Sequence, residues 1–113
     1  MTLGSYLTQL LKGNTDVLIL SLLQREPMYG HQIMQQLEHA SAGFFQVSEG
    51  TLYPALYRLV REGFIRSRWL KLPAGPERKV YSLTKKGQDR LNECRSTWDG
   101  FAAAMNRVTA PAG

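Results

Sequence analysis

Seven residues toward the end of the chain constrain its fold most. Gly87, Leu91, Cys94, Trp98, Phe101, Met105 and Val108 alternate steps of four and three, the spacing of a heptad seam along one helix. Capped by Thr84, that helix runs to about Val108 and spans roughly 37 Å at 1.5 Å per residue. The 83 residues before it are too small a body to cover so long a stripe, whereas a second copy of the chain could. The pattern therefore predicts a homodimer joined through Leu91, Cys94, Trp98, Phe101, Met105 and Val108. The competing arrangement folds the helix back on its own domain.

At 113 residues the chain is one domain with an appended helix. Residues 1–83 form the body and 84–113 the dimerisation helix and tail. No apolar run approaches the length of a membrane span; a membrane surface would fit the positive charge, but the basic residues do not form one amphipathic helix, so no membrane partner is expected. The opening Met1-Thr2-Leu3-Gly4-Ser5-Tyr6 lacks the basic flank and cleavage site of a signal peptide. Cys94, alone, excludes an internal disulfide and suits a reducing compartment; the expected location is the cytoplasm. Charge is informative through its distribution. Ten basic residues and three acids lie between Arg58 and Arg90, a net +7 in a chain of +5. Concentrated positive charge favours a polyanion partner, most simply nucleic acid.

Ser48 to Gly63 reads as a helix with two faces. Leu52, Leu56, Leu59 and Val60 share one apolar arc, with Ala55 at its edge. Pro54, Tyr57, Arg58 and Arg61 occupy the opposite arc. Ser48 is a good N-cap and Gly63 a good stop. If the helix starts at Ser48, Pro54 removes one backbone bond, and Gly50, four residues earlier, eases the clash. If it starts nearer Thr51, Pro54 sits in the first turn. A surface helix with arginines for solubility is the bland reading, but the neighbouring segments favour a DNA-reading helix.

Leu3, Tyr6, Leu7, Leu10 and Leu11 predict a short amphipathic helix that packs on the body or on a second subunit. Gly13-Asn14-Thr15-Asp16 reads as a break and cap before a buried helix from Val17 to Leu23. Met28 to Ala40 reads as a third helix, with Ile33 and Leu37 inward and Gly30 permitting close approach of a neighbour. Phe44-Phe45-Gln46-Val47 is a bridge or tiny strand. The third helix, a short Gly-containing connector and the basic helix make a helix-turn-helix. Phe64 to Leu83 reads as a cationic hairpin turning at Pro73-Ala74-Gly75-Pro76, a wing able to lie along phosphates. Trp69 is expected between wing and helix. The fold class is mainly α with a small β wing: a winged helix-turn-helix with an N-terminal helix and a long C-terminal one.

The chain resembles the PadR family of winged helix-turn-helix transcription regulators over nearly its whole length. The resemblance rests on Tyr29-Gly30 with Ile33, on Gly50-Thr51-Leu52-Tyr53-Pro54-Ala55-Leu56 with Arg58-Leu59 and Glu62-Gly63, and on Gly75-Pro76-Glu77-Arg78-Lys79-Val80-Tyr81-Ser82-Leu83-Thr84. Its single C-terminal helix looks like that of the family's small subgroup. The resemblance implies a dimeric repressor whose DNA affinity falls when a small aromatic or drug-like ligand binds. It implies that Tyr29, Ser48, Thr51, Tyr53 and Tyr57 lie near DNA and that Arg78 and Lys79 serve the wing; Glu49, Pro54, Arg58 and Arg61 complete the expected DNA-facing set. Ser48 and Thr51 sit at a helix N-terminus, which favours phosphate, and arginine can take a phosphate or a guanine edge. Tyr53 flanks the apolar arc and could equally be a core phenol.

Some small proteins of this family line an intersubunit pocket with a tryptophan on the last helix. Trp98, with Phe101, is the corresponding candidate for stacking a planar ligand; filling the dimer core is the simpler role. His31 and His39 have no metal-ligand spacing, and Cys94 reads as a small buried hydrophobe. No cofactor, metal or catalytic set is expected, so the chain is not read as an enzyme. The runner-up to a regulator that recognises a pseudo-palindromic operator is a winged-helix interaction module that touches DNA weakly.

Overall fold

The computed structural model describes residues 3–112, with side chains from residue 5. The readings at Met1, Thr2, the Leu3 side chain and Gly113 fall outside the described residues. The order is α1 (Leu3–Arg25), β1 (Met28–Tyr29), α2 (Gly30–Ala40), α3 (Glu49–Arg61), β2 (Ile65–Leu70), β3 (Arg78–Leu83) and α4 (Lys85–Thr109). The three strands form an antiparallel sheet in the order β1-β3-β2. This is the winged helix-turn-helix expected, with a few local differences.

The first is in α1, one continuous helix where a break was expected at Gly13-Asn14-Thr15-Asp16. The polar side chains there bond backwards instead of capping a new helix. Asn14 Nδ2 donates to the Leu10 carbonyl at 2.7 Å, and Thr15 Oγ1 to the Leu11 carbonyl at 2.6 Å. Such i−4 bonds satisfy the side chains without interrupting the backbone ladder. The second is at Met28–Tyr29, which pairs with Val80–Tyr81 as a strand instead of beginning the third helix. Tyr29 becomes the N-cap of α2, and its N–H donates to Gln32 Oε1 at 2.8 Å. Phe44 to Val47 lies outside any strand.

α3 begins where Ser48 caps it, the Ser48 hydroxyl accepting from the Thr51 N–H at 3.3 Å. Pro54 therefore lies inside the helix, past its first turn, and the Gly50 carbonyl that loses its donor is on the exposed side. At the other end Gly63 adopts φ +81°. Its N–H donates to the Val60 carbonyl, and that of Phe64 to the Leu59 carbonyl, each at 3.0 Å. This paired arrangement closes a helix C-terminus and favours glycine.

The core gathers Ile19, Leu20 and Leu23 of α1, Ile33 and Leu37 of α2, and Leu52, Ala55, Leu56 and Leu59 of α3. Ile65, Tyr81 and Leu91 close it from the sheet and α4. Leu91 is 0% exposed within a single chain, which corrects its placement in the dimer seam. Gly87 is likewise buried, and a Cβ there would collide with the Phe64 carbonyl oxygen. The first turns of α4 are thus docked on their own body. Thr84 Oγ1 accepts from the Gly87 N–H at 3.0 Å and donates to the Gly63 carbonyl at 2.7 Å; Lys86 Nζ donates to the Glu62 carbonyl at 2.8 Å. These bonds tie the end of α3 to the start of α4.

Beyond Leu91 the seam leaves the body. Cys94 is half-buried, while Trp98, Phe101, Met105 and Val108 are exposed, Trp98 by 50% and Val108 by 85%. Trp98, Phe101 and Met105 line an open groove of about 640 Å³ together with Tyr6, Leu7, Leu10 and Leu11 of the first half of α1 and with Phe44 and Phe45.

Candidate nucleic-acid interface

Helix α3 presents what its buried arc leaves out. Tyr57 is 70% exposed, with the Arg61 guanidinium 6.0 Å from its ring centroid. Ser48, Glu49, Thr51 and Pro54 are all exposed along the N-terminal half. Tyr53 is shared between packing and surface. It lies over Gly30, where a Cβ would stand 2.7 Å from the phenol oxygen, and remains partly exposed. The close approach that Gly30 permits is thus made by a ring of α3.

The wing supplies the other wall. Tyr53, Tyr57, Val60 and Arg61 of α3 and Lys79 and Tyr81 of β3 line an open cleft of about 490 Å³. Three phenols and two cations line it, with no carboxylate among them. Burial raises the Tyr81 hydroxyl above its usual range, and neighbouring Tyr53 adds to the shift; Tyr81 therefore stays a neutral phenol at physiological pH. On the other face of the sheet the Arg78 guanidinium lies 5.4 Å from the Tyr29 ring centroid. Tyr29, half-buried at the start of α2, is thereby joined to the wing.

Arg58 departs from the expected set. Its guanidinium pairs with Asp16 of α1, both side chains partly exposed, so it lies on the flank of α3 toward α1 while Tyr57 and Arg61 face out. That pairing spans 42 residues and leaves no local signal. Trp69 also differs: it is 62% exposed toward the turn end of the hairpin, where it meets Lys79 and no helix covers it. Phe44 and Phe45, in ring contact at 5.4 Å between centroids, carry no sequence signal of their place beside the groove, because only the fold brings the connector against α1 and α4.

His31 and His39 are exposed on α2. Among the described residues no three His, Cys, Asp or Glu side chains gather to hold a metal, and no helix is long and apolar enough to cross a membrane.

A recognition helix with a basic, phenolic outer face and a β wing beside it define a DNA-binding winged helix. Residues 19–93 match the Transcriptional regulator PadR-like family, and the chain belongs to that family. It is a transcriptional regulator and not an enzyme. The negative transcriptional regulator PadR of Bacillus subtilis is 31% identical over 75 residues, 66% of this chain and 41% of that one. A PadR-like transcriptional regulator structure from Bacillus cereus has a TM-score of 0.79 at 33% identity, covering 92% of this chain and 99% of that one. The structure of Bacillus subtilis PadR in complex with operator DNA has a TM-score of 0.64 at 29% identity, covering 70% of this chain and 45% of that one.

Proposed function

We propose that the protein is a homodimeric repressor that grips a pseudo-palindromic operator through α3 and the wing and releases it when a small aromatic ligand enters the α1–α4 groove. The observation that carries the DNA reading is the cleft between α3 and β3, with Arg61 and Lys79 on its walls and no acid. Arg61 and Tyr57 meet base edges or phosphates in the major groove. Ser48, Glu49 and Thr51 stand at the helix N-terminus, where backbone N–H groups attract a phosphate. Tyr29, Arg78 and Lys79 follow the backbone beside the wing. Similarity to a negative regulator and to a PadR bound to operator DNA supports repression and operator binding.

The exposed seam of α4 supports the dimer. Trp98, Phe101, Met105 and Val108 form an apolar stripe too long for the body to cover, and a second copy would bury it with Cys94 and Leu7. A two-fold assembly matches two half-sites. The groove has the volume of a small-molecule site, and Trp98 and Phe101 on its wall suit a planar ligand. A cytoplasmic location goes with this reading of a transcriptional regulator of the family.

Exchanging Arg78 and Lys79 together for Ala tests the wing: affinity should fall for every duplex, and the slope of log affinity against log salt should shrink by about 2. Arg61→Ala should in addition lower the preference for the promoter duplex over a scrambled one. Wild-type affinity and slope in the double variant would contradict the reading.

A further inference from the structure

We propose that Trp69 is a DNA contact of the wing, its indole seated on the deoxyribose edge of the duplex while Lys79 beside it meets the adjacent phosphate. The inference rests on the DNA-binding reading above and extends it to a residue whose expected role was packing.

The register of the hairpin carries the argument. Ile65 pairs with Leu83, Ser67 with Tyr81 and Trp69 with Lys79. Side chains alternate along a strand, so Ile65, Ser67 and Trp69 share one sheet face with Leu83, Tyr81 and Lys79. Tyr81 and Lys79 line the cleft beside α3. Trp69 stands on that same face and further out, so a duplex lying against α3 and the wing would run across it.

The indole is not used up by the fold. A large apolar side chain at 62% exposure has lost little contact with water, and the cation beside it is Lys79, whose Nζ lies 5.7 Å from the ring centroid. A cross-strand pair of this kind stabilises a hairpin modestly and leaves most of the ring open. The surroundings select the occupant. The cleft that the face continues holds Arg61 and Lys79 with no carboxylate, which favours a polyanion. Duplex DNA offers both a phosphate for the ammonium and an apolar sugar edge for the ring. An apolar partner protein would leave Lys79 buried and unpaired at the centre of the contact, a costly arrangement.

Trp69→Ala, Trp69→Phe and Lys79→Ala test this against the protein's own promoter duplex, with circular dichroism and thermal melting as folding controls. Trp69→Ala should weaken binding about tenfold, as for losing part of an aromatic contact, with the salt slope unchanged because no counterion is involved. Lys79→Ala should instead reduce the slope by about 1. Trp69→Phe should keep most of the affinity. The chain has two tryptophans, so the DNA-induced emission change in wild type that vanishes in Trp69→Phe reports Trp69 alone. Wild-type affinity in Trp69→Ala, with the same emission change in Trp69→Phe as in wild type, would overturn the proposal and leave the DNA reading standing. A Trp69→Ala variant that melts lower yet binds normally would assign the residue to hairpin stability and overturn it as well. If wild type binds no duplex, both readings fall.

Discussion

Helices α3 and α4 each carry an apolar stripe and exposed aromatic rings, yet they end differently. In α3 the stripe is filled by its own domain, burying Leu52, Ala55, Leu56 and Leu59. What it shows outside is Tyr57 stacked with Arg61. In α4 the stripe outruns the body: Gly87 and Leu91 are buried, and the residues beyond are not. Exposed rings thus have two meanings here. Tyr57, among cations and phenols, stands on the surface proposed for a polyanion. Trp98 and Phe101, beside Tyr6, Leu10 and Phe44, stand on an open apolar groove, the surface proposed for a second copy. The division falls within α4 itself, between Leu91 and Trp98.

Breaking that division at its buried end should have the largest effect. Gly87→Ala sets a methyl against the Phe64 carbonyl and should destabilise the fold by about 3 kcal/mol, the upper part of the overpacking range. Leu91→Ala should cost about 3 kcal/mol by leaving a cavity. Denaturant unfolding reads both. Past the division the same kind of change should act on assembly. Phe101→Ala should leave protomer secondary structure unchanged and weaken dimerisation about tenfold or more, measured by sedimentation against concentration. Asp16→Asn, which unpairs Arg58 at a partly exposed site, should cost at most about 1 kcal/mol, read by the same denaturant unfolding. The smallest effect sharpens the contrast. At Gly100 an added methyl would meet nothing within 4 Å, so Gly100→Ala should stabilise α4 by about 0.5–1 kcal/mol, seen as a raised melting temperature.

What is legible in the sequence is what is local. Ser48, the apolar arc and Gly63 mark α3 from neighbouring positions alone, and Pro73 to Pro76 mark the wing turn. Gly13 to Asp16 mislead because Asn14 and Thr15 have two ways to satisfy their side chains, and the continuous helix uses the backward one. β1 leaves no local trace because two residues hold it, and their partners are more than fifty positions away. The heptad is real as a spacing, but spacing does not say which part of a stripe the chain's own body covers; Phe64 and the core decide that for Gly87 and Leu91. The exposed outer face of α3 follows from helix geometry, as at Tyr57 and Arg61. At Arg58 and Trp69 a partner brought in by the fold, Asp16 or Lys79, determines the surroundings.

The most direct test is a titration of the protein against its own promoter duplex, beside a scrambled duplex, at about 150 mM salt, with the mass of the complex measured. A homodimeric operator-binding repressor should bind the promoter alone tightly, with two protomers on one duplex. Equal and weak binding to both duplexes, or a single protomer on the promoter, would contradict that reading.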